Sequence, residues 1–313
     1  MNKLSKLALI LATALLSGCA HNINSSLHVA SYNIRLSAGD KGTENAWDER
    51  KDDLIALIRN LDLDAFGLQE VRPDQAALID AAFPDYAKYG EHRGADRVSD
   101  EASSIYFRKE RFECLKGGTF WLSETPDVPG LKGWGAACPR VCSWALLKDR
   151  RTGKTFCFAN THTDHVSALA RKEGMLLIIR RMKEFAPEGT PIVFTGDHNC
   201  LETDEPAQAV AGILKNALYL TETPAKGSWR TFNGWIWRDK EIEISEALQK
   251  SMDERNASGE KSFNKICGGS RIDYIYVSPG VRVLDYETVC APRPGKKLYQ
   301  SDHFPVTAHI VLP

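Results

Sequence analysis

No excess of charge of either sign marks this 313-residue sequence, in which 40 Lys and Arg stand against 41 Asp and Glu for a formal net charge of −1. Such a balance supplies no electrostatic footprint for capturing a nucleic-acid backbone, which weakens, without excluding, a DNA or RNA substrate. Long apolar runs are also missing. The longest, Leu7–Leu16, is interrupted only by Thr13 and is too short to span a bilayer as a stable anchor. Internal repeats, low-complexity tracts and a linker that would split the chain are absent too. The sequence after residue 18 therefore suits one large layered core or two small domains. No second cysteine pair with ligand spacing accompanies Cys138-Pro-Arg-Val-Cys142, so that string does not read as a zinc site. It is open to a local disulfide or to two unrelated thiols.

What is present begins at the N-terminus. Lys3 and Lys6 precede the apolar run, which ends in Leu16-Ser17-Gly18-Cys19. That string resembles a bacterial lipobox, in which the leader (1–18) is removed and Cys19 carries the lipid. Ala20 in place of Asp resembles outer-membrane sorting in Gram-negative bacteria. The expectation is a lipid-anchored, extracytoplasmic protein on the outer membrane, facing the periplasm or the cell surface. Residues 19–26 would form a short tether and 27–313 one domain, expected to be a monomer. Besides Cys19 there remain Cys114, Cys138, Cys142, Cys157, Cys200, Cys267 and Cys290, an odd number, so at least one is free or paired between chains.

Apolar periodicity predicts strands over 27–36, 65–71, 103–108, 112–122, 141–148, 155–161, 191–198, 271–277, 281–289 and 305–311. Helices are predicted over 46–60, from Pro73 to about Ala82, over 166–185 and over 205–215. The turn Arg151-Thr152-Gly153 reads as a hairpin. Mixed hairpins and helix-connected strands indicate two packed sheets flanked by helices. The charged stretch 234–269, with Glu241, Glu243 and Glu246, reads either as a solvated surface insertion or as a lid.

Several apolar strands end in an acid or amide. Glu70 follows Phe66 and Leu68 at a spacing of two, which predicts its carboxylate on their face. The same period sends Asp197 and Asn199 to one side of their strand and His198 to the other. Asp273 shares a face with Ile275 and Val277, Asp302-His303 precedes a terminal strand, and Asn33 ends the first. Carboxylates with amide oxygens are the donor set a hard Mg²⁺ or Mn²⁺ ion prefers. Histidines beside them can exchange protons near neutral pH.

The strings SYNIR (31–35), GLQEV (67–71), NTHTDH (160–165), TGDHN (195–199), RIDYIYVS (271–278) and SDHFPV (301–306), in this order, resemble the endonuclease/exonuclease/phosphatase superfamily. The resemblance implies an α/β (α+β) fold, a four-layer αββα sandwich of two packed mixed β-sheets flanked by helices. It also implies an Mg²⁺- or Mn²⁺-dependent phosphoric ester hydrolase, either a phosphodiesterase or a phosphatase. Glu70 would be the principal metal ligand, with Asn33 and Asp302 close to the metal and its waters. Asp197 would orient or deprotonate the attacking water, and Asn199 would hold a phosphate oxygen. His303, paired with Asp273, would transfer a proton or stabilise charge. His162 would contact the phosphate and assist the leaving oxygen, with Glu101 as its orienting partner, and His165 is a further candidate for substrate contact. The family commonly has Phe where His198 stands, which reads as a packing change. FWLSETPDVPG (120–130) and TFNGW (231–235) look like a bacterial secreted subgroup, and Trp121, Trp134, Trp229, Trp235 and Trp237 are open to a stacking rim or to core packing. The substrate would be a sugar-, lipid- or nucleotide-linked phosphate ester. The rival expectations are a secreted nuclease and a non-catalytic surface lipoprotein binding carbohydrate or protein.

Overall fold

The computed structural model describes residues 25–244 and 270–313. The leader, Cys19, most of the tether, Cys267 and much of the 234–269 insertion lie outside these residues. The first sheet has seven described strands: β1 (Leu27–Asn33), β2 (Ala65–Val71), β3 (Tyr86–Tyr89), β4 (Ala102–Arg108), β10 (Lys226–Gly227), β12 (Arg282–Thr288) and β13 (Val306–Val311), in the order β10-β12-β13-β1-β2-β4-β3. The second has six: β5 (Phe112–Trp121), β6 (Val141–Asp149), β7 (Thr155–His162), β8 (Ile192–Asp197), β9 (Lys215–Asn216) and β11 (Asp273–Val277), in the order β5-β6-β7-β8-β11-β9.

Each central strand alternates between two cores, as a period of two requires. Leu27 and Val29 of β1 meet Phe158 and Val193 of the other sheet in the inter-sheet core. Ala30 and Tyr32 turn the opposite way and pack against α1 (Trp47–Asn60) and α2 (Pro73–Ala82). Across the second sheet, Phe194, Tyr274 and Tyr276 pack against α3 (Ala168–Phe185) and α4 (Glu205–Ala211). The result is helix, sheet, sheet, helix.

The helices follow their sequences. In α1 the buried residues Trp47, Arg50, Leu54, Ile55, Leu57 and Ile58 recur at helical spacing, so one face meets the sheet. Pro73 opens α2, where its missing N–H costs nothing. Ser167 caps α3 by accepting from the Ala170 amide at 3.1 Å, a contact worth roughly 1 kcal/mol.

Three departures have local causes. The first strand stops at Asn33 rather than residue 36, because Arg35 takes a left-handed conformation (φ 56°). The helix predicted over 205–215 ends at Ala211 with Gly212 as its cap, and Lys215 joins β9. Strand β3 is additional to the strands that periodicity predicts, because its four residues are all only partly buried and carry no clear alternation. Part of the charged insertion is not solvated either. Glu241 is nearly buried and is bonded by Arg230, Ser228 and Tyr299.

Candidate active site

The topology brings six distant segments to one edge of the paired sheets. Strands β7 and β8 run parallel with His162 opposite Asp197, and β11 runs antiparallel to β8 with Asp273 opposite Asp197. Strands β1 and β2 run parallel in the other sheet, ending at Asn33 and Glu70–Val71. The link between sheets is a side chain. Asn33 Nδ2 donates to Glu70 Oε1 at 3.0 Å and to Asp197 Oδ2 at 3.0 Å. Just beneath, the sheets approach closely at Gly67, where a Cβ would lie 2.4 Å from the Asn160 side chain.

A cleft of about 600 Å³ opens over this edge. Glu70, Glu101, His162, His165, Asp197, Asn199, Asp302 and His303 all line it, and Asn33 and Asp273 lie completely buried beneath. Every residue predicted for catalysis, metal binding or substrate contact is thus brought to one neighbourhood.

Glu70 arrives by a route that period two does not give. Phe66 and Leu68 face the helices, whereas Glu70 bonds to Asn33 of the inter-sheet face and to the Leu36 amide at 2.9 Å. A left-handed Glu70 (φ 61°) and a register shift between Leu68 and Val71 make the turn. Non-glycine residues adopt this conformation at a cost of order 1 kcal/mol, which the surrounding bonds offset.

The expected pairing of Glu101 with His162 is also corrected. Glu101 bonds to Arg93 at 2.9 Å, and His162 Nδ1 is buried without a hydrogen-bond partner. On its other side, His162 Nε2 lies 2.9 Å from Asn199 Nδ2 and 3.4 Å from Asp197 Oδ2. Burial, with the nearby guanidinium groups of Arg140 and Arg93, holds His162 well below the usual histidine range.

His303 is its opposite. Nδ1 lies 2.8 Å from Asp273 Oδ2, and Nε2 lies 3.7 Å from Asp197 Oδ2. Burial alone would lower His303, but the charges of Asp273 and Asp197 and the bond to Asp273 raise it well above the ordinary histidine value. Asp197 is pushed upward by burial and by Asp273, against the pull of His303. A carboxyl shifted towards neutrality beside a protonated imidazole is suited to proton transfer.

Two groups of donors bear on a cation. Asp197, Asp273 and His303 each offer a ligand atom within 4.8 Å of the others. However, His303 Nδ1 already occupies Asp273 Oδ2, and Asp273, whose Oδ1 is buried without a partner among the described residues, has no exposed surface. Glu70 and Asp302 line the open cleft instead. Burial raises the Asp302 carboxyl, His303 pulls it down, and the charge of Glu70 adds to the rise. Two neighbouring carboxylates that repel one another are what a hard divalent ion relieves, and their donors are oxygens. Glu70 and Asp302 fit such an ion better than the Asp197 group does, while Asn33, whose Nδ2 donates to Glu70 and whose Oδ1 accepts from the Arg35 amide, positions Glu70 instead of offering the ion a free oxygen.

Sequence reading missed Arg35, Arg93 and Arg140 along the cleft, and Phe232, whose ring lies 5.0 Å from that of His303. No local pattern singles out these arginines, since the distance to the site is bridged only by the fold. None of the tryptophans lines the cleft, and Trp121 and Trp229 are core residues. His198 turns away from it and stacks on Phe194 and Tyr276.

A buried guanidinium supports the edge from below. Arg50, 1 % exposed, donates to the carbonyls of Ile34, Arg35, Asn45 and Gln300 at 2.6 to 2.9 Å. It thereby ties the segment after Asn33 to the segment before Asp302. The Arg35 carbonyl also accepts from Gln75 at 2.9 Å. All the described cysteines, Cys138 and Cys142 included, are free thiols.

The profile of the Endonuclease/Exonuclease/phosphatase family matches residues 21–303. Among solved structures, a mannosyl-6-phosphatase of Bacteroides thetaiotaomicron superposes with a TM-score of 0.78 at 32% identity, over 92% of this chain and 100% of that one. An endonuclease/exonuclease/phosphatase of Bacteroides vulgatus gives 0.77 at 32% identity, over 92% and 99%. The human nocturnin catalytic domain, at 16% identity and a TM-score of 0.65 over 92% and 94%, shares the fold. A search of curated protein sequences gave no match.

Proposed function

This chain belongs to the Endonuclease/Exonuclease/phosphatase family, and from that premise we propose that it hydrolyses a small, sugar-type phosphate ester by in-line attack of water on phosphorus, with Mg²⁺ or Mn²⁺ at Glu70. The observation that carries the mechanism is the Asn33 bridge, which joins a candidate metal carboxylate (Glu70) to a candidate base (Asp197) through two 3.0 Å bonds. The mannosyl-6-phosphatase at 32% identity supports a sugar phosphate.

Glu70 and Asp302, with Asn33 nearby, would hold the ion, which when bound offsets charge on the phosphoryl group. Asp197 takes a proton from the attacking water, a role its burial beside Asp273 suits. Asn199 offers its amide to a phosphoryl oxygen. His303, kept protonated by Asp273, faces the same space and supplies the proton that the leaving oxygen needs. The phosphorus–oxygen bond to the alcohol breaks, a bond to the water oxygen forms, and the alcohol and the hydrolysed phosphate leave.

The site of action is proposed to be extracytoplasmic, with a lipid on Cys19, on the strength of Leu16-Ser17-Gly18-Cys19 after an apolar run. Labelling with radioactive palmitate in a bacterial host, lost in Cys19→Ser, tests that; equal labelling of both forms rejects it. The reaction is tested with soluble protein beginning at Asn22, against sugar phosphates, diesters and plasmid DNA with Mg²⁺, Mn²⁺ or EDTA. Turnover of a sugar phosphate that EDTA abolishes supports the reading. No turnover of any phosphate ester, or turnover indifferent to EDTA, rejects it.

A further inference from the structure

Three hydrogen-bond donors beside Glu70 have no acceptor among the described residues. Arg93 Nε, Arg140 Nε and His162 Nδ1 are all buried and unpartnered. Their residues line, together with Glu70 and Glu101, a void of about 10 Å³ whose walls are shared with the main cleft. That is room for one oxygen-sized sphere. Arg140 is 4% exposed, and its closest carboxylate oxygen, Asp164 Oδ2, is 3.7 Å from Nε and already accepts from the Ala137 amide. One Arg140 Nη faces His165 Nδ1 at 2.9 Å, and the Arg93 Nη2 is taken by Asp100 and Glu101.

A buried guanidinium with an unmet donor is costly, and a planar fork of donors is the geometry that matches phosphate oxygens. Because the void touches both Glu70 and His162, the missing oxygen belongs to the reacting phosphoryl group and not to a distant part of the substrate. A phosphate diester has two non-bridging oxygens, and a monoester has three and one more negative charge. Resting on the hydrolase reading above, we propose that Arg93 and Arg140 form an anion subsite that takes one terminal oxygen of a phosphate monoester dianion, so that the site favours the doubly charged monoester over the singly charged diester.

The test compares p-nitrophenyl phosphate with methyl p-nitrophenyl phosphate, with Mg²⁺, in the full chain, Arg140→Gln and Arg93→Gln. The ratio of monoester to diester kcat/KM should favour the monoester in the unaltered protein. It should fall by at least about tenfold in each variant, and the inhibition constant of inorganic phosphate should rise by a similar factor. An unchanged ratio with unchanged phosphate inhibition would mean that the void holds only a resident water, and overturns the proposal. If either variant fails to fold, the unaltered protein still decides: inorganic phosphate should inhibit at least about tenfold more tightly than dimethyl phosphate, and equal inhibition overturns the proposal. Preference for the diester sinks this inference and leaves the hydrolase reading standing, whereas absence of turnover on both esters sinks that reading.

Discussion

Asn33 in one sheet and Asp197 in the other are joined by a 3.0 Å hydrogen bond across 164 positions of sequence, and the same Asn33 amide nitrogen reaches Glu70. One neutral side chain therefore separates two carboxylates while holding both. Asn33→Ala should leave each of them short of a buried donor. The expected cost is about 1–3 kcal/mol in denaturant unfolding, with a loss of at least about tenfold in kcat. Unaltered kcat would show that the bridge plays no part in aligning the two groups.

His198 is fully buried, both of its ring nitrogens lack partners, and burial lowers it to about 3. The unfolded chain, with an ordinary value near 6.5, binds the proton first as pH falls. Stability from this group is thus fully present above about pH 6.5 and is lost progressively towards about pH 3. His198→Phe removes two unmet polar atoms from an aromatic stack and removes the titration. The variant should be more stable by about 1–2 kcal/mol at pH 7, with the gap widening by pH 5. Urea melts at the two pH values measure it, and a gap that narrows on acidification would contradict the assignment.

Arg50 holds the backbone on either side of the proposed ion through four carbonyls from three segments. Lysine keeps the charge but not the fork. Arg50→Lys should raise the Mg²⁺ concentration needed for half-maximal activity by about tenfold. The rise in Tm on adding Mg²⁺ should shrink in parallel. If Tm falls while both Mg²⁺ responses stay as they were, Arg50 is a structural clamp alone.

Much of the fold is legible because strands and helices bury residues at periods of two and 3.6, which the runs before Asn33 and Asp197 and after Asp273 display. The convergence of the site was readable through motif order, and the side chosen by Asp197 and His198 follows from alternation alone. Glu70 was assigned to the right place by the wrong geometry. Alternation predicts the face of Phe66 and Leu68, and a left-handed glutamate reverses it, a sign of φ that no neighbouring residue type announces. The replacement of a Glu101–His162 contact by a Glu101–Arg93 pair was hidden for another reason. It depends on which of several arginines the 91–101 loop delivers beside the carboxylate, and that is a tertiary fact.

The central claim is that Asp197 removes a proton from water at an ion-bearing site. Asp197→Asn keeps the size and the contact with Asn33 but cannot accept that proton. With Mg²⁺ and a sugar phosphate, kcat should fall by about 10³-fold, while Tm and its rise with Mg²⁺ change little. Turnover within a few-fold of the unaltered protein would contradict the account.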